Sequence, residues 1–96
     1  MFEFAYWPDA DAAMDELEAS PAMSPVLEAV QRTLDRLSAD PYDRRLGTTA
    51  YQTQELGGIS ATPIRLDDWY IFWQRGPEPK LLEIVLIHEL RADQPR

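Results

Sequence analysis

The chain predicts an α+β fold in which two N-terminal helices pack on an antiparallel sheet of about four strands, within one domain covering residues 1–96. Three observations predict it. Apolar residues recur with helical period only between about residues 9 and 38. Beyond residue 50 that period gives way to short β-prone, aromatic runs separated by Gly, Pro and Asp turns. Helices followed by consecutive hairpins build a helix layer on a sheet rather than a doubly wound parallel sheet. Ninety-six residues suffice for one core and are too few to divide into two.

Phe2 to Trp7 is an aromatic, β-prone run that stops at Pro8-Asp9, and it reads as a first strand followed by a helix start. Asp9 is the expected N-cap. Ala10, Ala13, Met14 and Leu17 then form one apolar stripe, with Asp11, Asp15, Glu16 and Glu18 on the other face. Ser20-Pro21 ends this helix, because the residue before proline is pushed out of the α region, and Ser24-Pro25 opens the next. Leu27, Val30, Leu34 and Leu37 carry its apolar face, while Arg32 and Arg36 sit with Glu28 on its polar side. Ser38 to Pro41 closes it, and Tyr42 to Thr49 is a loop that holds Arg44 and Arg45.

Tyr51 to Leu56 reads as a strand leading into Gly57-Gly58, which marks a tight hairpin. The next strand runs to about Leu66. Pro63 cannot donate to a ladder, so it belongs at an edge or a bulge. Asp67-Asp68 makes a turn, Trp69 to Gln74 is the following strand, and Leu81 to Leu90 is the longest apolar run. These last two are the expected central strands, and Arg91 to Arg96 reads as a loose tail.

Composition narrows the function. With no cysteine there is no disulfide, thiolate metal site or cysteine nucleophile, a composition that suits a reducing, cytoplasmic setting. No run approaches the length of a membrane span. With one histidine and no cysteine, no metal site and no cofactor is expected. The net charge of −8 is uneven: residues 1–40 hold nine acids and two arginines, net −7, and residues 41–96 hold eight acids and seven bases, net −1. Such an acidic chain disfavours RNA, ribosome and anionic membranes as partners at long range, and attracts basic ones.

Among the residues able to carry chemistry, strict alternation along the last strand puts His88 on one face with Ile84 and Leu86. There it closes the core, serves as a general acid or base, or makes an interface contact. Arg65, at a strand end, is either satisfied by Asp67 or Asp68 or free to clamp a phosphate. Arg44, Arg45 and Arg75 are candidate binding residues on loops and turns. Trp69, Tyr70, Phe72 and Trp73 are dense enough to read as core, with base stacking as the alternative.

Leu56-Gly-Gly58, Pro63 to Trp73 and Leu82 to His88 together resemble the C-terminal half of the RelE/ParE toxin superfamily, and the order of elements is similar too. The resemblance in residue pattern covers about residues 56–90. It implies a toxin-like component of a bacterial type II toxin–antitoxin system, RNA-cleaving or translation-inhibiting, with an antitoxin-like partner or self-association. By position it implies Arg65 and His88 as catalytic residues, with Arg91 as the nearby base and Tyr70 at the binding surface. Tyr70 stands where the family usually has an arginine, Pro63 takes another commonly basic position, and no tyrosine follows His88. These departures imply a weakened catalytic set. The alternative is a catalytically silent relative that serves as a protein-binding or dimerisation module.

Overall fold

A computed structural model describes residues 1–53 and 57–90, the side chain of Thr53 apart. It is an α+β fold with two helices and a five-stranded sheet. In chain order these are β1 (Glu3–Tyr6), α1 (Pro8–Ala19), α2 (Ser24–Ala39), β2 (Thr49–Thr53), β3 (Gly57–Pro63), β4 (Trp69–Arg75) and β5 (Leu81–Glu89). One-turn 3-10 helices at Pro21–Met23 and Arg44–Leu46 precede α2 and β2.

The sheet order is β1-β5-β4-β3-β2. Successive strands from β2 to β5 pair antiparallel, but β1 runs parallel to β5, with Glu3 opposite Leu81 and Tyr6 opposite Ile84. The sheet is therefore mixed and five-stranded, not antiparallel with about four strands. The two central-strand candidates, β4 and β5, do lie inside it. Pairing of the first strand with the last is set by tertiary closure. Phe2 donates its N–H to the Ser38 carbonyl (2.8 Å), the Ser38 hydroxyl returns a bond to the Phe2 carbonyl (2.8 Å), and Glu3 N–H meets the Lys80 carbonyl (2.8 Å).

Helix α1 starts at Pro8 with Trp7 as N-cap, so Asp9 is not the cap. Proline supplies a preset φ at the first helical position, where its missing N–H costs nothing, and Asp9 and Asp11 oppose the positive end of the helix dipole. Val26, Ala29, Val30, Leu34 and Leu37 are the buried stripe of α2. They meet Ile71, Trp73, Leu82, Ile84 and Ile87 from the sheet to form the main core. Each large aliphatic side chain so buried is worth about 1.5–3 kcal/mol.

Thr53 pairs with Gly57, so Gly57 and Gly58 lie within β3 rather than in a hairpin turn, and Leu56 is outside the described residues. Pro63 ends β3 two residues beyond Ala61, the last one that β2 pairs, where a missing donor costs no ladder bond. Between β4 and β5 the register slips: Phe72 faces Leu86, but Trp73 faces Ile84, leaving Val85 as a bulge. Ile84 and Ile87 thus both reach the helix-covered core. His88 moves off the face of Ile84, is exposed, and sits opposite Tyr70; it does not close the core. Among the described residues no helix is long and apolar enough to cross a membrane.

Candidate functional site

The loop from α2 to β2 gathers most of the basic residues singled out above. Two aspartates shape it locally. Asp40 accepts from the Tyr42 N–H (3.0 Å), and Asp43 caps the 3-10 turn by accepting from the Arg45 N–H (2.9 Å). Gly47 then ends the turn at φ +71°, a left-handed conformation that glycine adopts without strain.

Arg45 grips Asp43 with both arms, Nε to Oδ1 at 3.1 Å and Nη2 to Oδ2 at 2.9 Å. The guanidinium's hydrogen bonds, reinforced by the Arg45 amide and its charge, hold the Asp43 carboxyl down to about 2 and push the Arg45 pKa up. Arg65, itself at φ +66°, reaches across from the β3–β4 turn and donates Nη2 to the Arg45 carbonyl (3.3 Å), above Gly47. It pairs with neither Asp67 nor Asp68; among the described residues the only ion pair is Arg45–Asp43. Arg75 donates to the Tyr42 hydroxyl and to the Pro79 carbonyl (2.8 Å), and lies over the Phe2 and Tyr42 rings. Arg45, Arg65 and Arg75 are thus each held by a contact, whereas Arg44 is exposed and bonded to no described side chain.

Arg44 lines a groove of about 470 Å³ together with Tyr42, Asp43, Thr48 and Ser60, floored by Trp73. Trp73 is 3% exposed and donates its Nε1–H to Thr62 Oγ1 (2.9 Å), which lies 2.6 Å from Thr48 Oγ1. Thr62 is fully buried. Its hydroxyl accepts from Trp73 and shares a hydrogen bond with Thr48 in which either oxygen can donate. The Tyr42 oxygen accepts from Arg75, and its hydroxyl keeps a proton that can be donated. Arg44, Tyr42, Thr48 and Ser60, each able to donate a hydrogen bond, thus share one concave surface with the apolar Pro41, Ala50 and Trp73. Its one carboxylate, Asp43, is already neutralised by Arg45.

His88 lies elsewhere. With Trp69, Leu86 and Ile87 it lines a second groove, of about 280 Å³, closed on the other side by Asp9, Ala13, Glu16 and Leu17 of α1. Tyr70 is its cross-strand neighbour and stands 6.3 Å, ring to ring, from Phe72. Arg65 and His88 share neither groove, and Arg91 is outside the described residues. Among the described residues no group of His, Asp or Glu is arranged to hold a metal.

Sequence reasoning named the arginines but not Tyr42, Thr48, Ser60 or Thr62. Isolated hydroxyls carry no pattern of their own, and only the register of β2 against β3 brings Thr48 and Thr62 together. Compared with protein-family models, with curated proteins and with solved structures, the chain finds no match in any of the three.

Proposed function

We propose that this chain is a toxin-like component of a bacterial type II toxin–antitoxin system that holds a phosphodiester backbone in the Arg44 groove and blocks its target rather than cutting it. The observation that carries this reading is the groove itself, in which an exposed Arg44, bonded to no described side chain, stands beside the hydroxyls of Tyr42, Thr48 and Ser60, with Arg75 bonded to Tyr42. An arginine among hydroxyls is the combination that grips phosphate oxygens.

Binding is better supported than cleavage because, among the described residues, this groove lacks a group suited to proton transfer. Asp43 stays ionised down to about pH 2 and is too weak a base at neutral pH. His88, the one imidazole, lines the other groove. Of the acids that give residues 1–40 their net −7, Asp9 and Glu16 line the other groove, whereas Asp40 accepts from the Tyr42 N–H beside this one.

Induced expression in bacteria tests the reading. Growth should slow with translation reduced and messenger RNA intact, and Arg44→Ala should relieve the effect. Unchanged growth and translation would sink the proposal, and site-specific RNA fragments would replace it with a nuclease. A second reading, a silent binding module, is favoured by the acid-rich face of α1. It predicts that Arg44→Ala and Arg65→Ala leave every phenotype unchanged.

A further inference from the structure

The second groove has an unusual wall. Strand β5 is nine residues long, yet β1 covers only Leu81 to Ile84. At Trp7 the chain leaves the sheet for α1, and among the described residues the bond from Trp7 N–H to the Ile84 carbonyl (2.9 Å) is the last main-chain hydrogen bond on that side. Among the described residues no strand pairs with Val85 to His88 on the side away from β4. An edge segment of this kind offers its N–H and C=O groups to an added strand.

The flank of this open edge is chemically specific. Helix α1 carries Asp9, Asp11, Asp15, Glu16 and Glu18 and no basic residue. Only Asp9 and Glu16 face the groove, over a floor that includes Ala13, Leu17 and Trp69. Seven residues apart on a helix, these two carboxylates are separated by about 10 Å along the axis. Alternate residues of an extended strand stand about 7 Å apart on one face, so two flexible lysine or arginine side chains can reach both acids. Their methylene stems would lie over the apolar floor.

We propose that Val85 to His88 is a strand-addition site for an extended, basic segment of a partner protein, whose cationic side chains pair with Asp9 and Glu16. The proposal goes beyond the phosphate-binding reading and does not depend on it, since the two grooves share no residue.

A short blocked peptide of alternating lysine and valine, titrated at low salt and followed by amide chemical shifts, tests it. Shifts should centre on Leu86, Ile87 and His88. The Asp9→Asn/Glu16→Gln pair should weaken binding about tenfold, the loss of two partly desolvated ion pairs, whereas Asp11→Asn/Asp15→Asn should change it less than about twofold. All four acids are exposed, and a thermal melt of each variant verifies that it folds. The same peptide N-methylated at alternate amides keeps its charge but cannot pair, and should not bind. Equal binding of the methylated peptide, equal weakening by both pairs of substitutions, shifts centred on the β2 edge, or no binding would each overturn the proposal. Loss of RNA binding in Arg44→Ala with peptide binding intact would separate the two grooves.

Discussion

At the residue scale the arginines near the α2–β2 loop are not equivalent, and their contacts rank them. Arg45 is spent on Asp43, Arg65 on a carbonyl, and Arg75 on Tyr42 and Pro79, whereas Arg44 is bonded to no described side chain. The Asp43 carboxyl reports the first of these bonds. An NMR titration should give it a midpoint near 2, below the ordinary aspartate value of 3.8, and Arg45→Ala should return it toward that value. Because the folded value is the lower one, the carboxylate's contribution to stability is fully present above about pH 4. It is lost as pH falls through about 2. The positions of Arg44 and Arg45 on a loop were legible from Asp40-Pro41 and the lapse of helical period. Which arginine remains uncommitted was not, because it depends on Arg65 arriving from twenty residues away.

At the level of elements, the buried relay from Trp73 through Thr62 to Thr48 ties β4 to β3 and to the residue that leads into β2. Thr62→Val keeps the shape but strands the Trp73 Nε1–H in a dry environment. It should cost about 1–3 kcal/mol in urea unfolding, and Thr62→Ser should cost less because the hydroxyl remains. A cost indistinguishable from zero for Thr62→Val would remove the relay from the account of the groove. The bulge at Val85 has the opposite standing with respect to the sequence. Strict alternation places His88 with Ile84, and a single extra residue transfers it to the other face, since side chains repeat every second residue. Nothing in the run Leu81 to Leu90 marks Val85 as the residue that slips. The helices were easier: proline at each start and apolar residues at three- and four-residue spacing act locally, so α1 and α2 fall close to where the pattern put them. The expected cap moved, from Asp9 back to Trp7.

For the whole molecule, the layer of helices on a sheet was legible because it follows from where the period changes from helix to strand. The parallel β1–β5 pair was not, since it joins residues nearly eighty positions apart and leaves no local trace. That closure organises the protein. It puts Ile71 fully inside, on β4 at the centre of the sheet order, beneath the helices, and Ile71→Ala should cost about 2–5 kcal/mol, read as a lower denaturant midpoint at unchanged slope. It also keeps two grooves distinct, one between the α2–β2 loop and the sheet that holds Arg44, the other bordered by acids between α1 and β5. A net charge of −8 averages over that division and conceals it. The division is tested most directly by titrating a short single-stranded RNA into the labelled protein while following amide shifts and the integrity of the RNA. Shifts should centre on Tyr42, Arg44, Thr48 and Ser60, with the RNA intact, and Arg44→Ala should reduce the dependence of log affinity on log salt by about 0.7, the share of one phosphate contact. Shifts centred on His88 and α1, cleavage of the RNA, or a salt dependence unchanged by Arg44→Ala would contradict it.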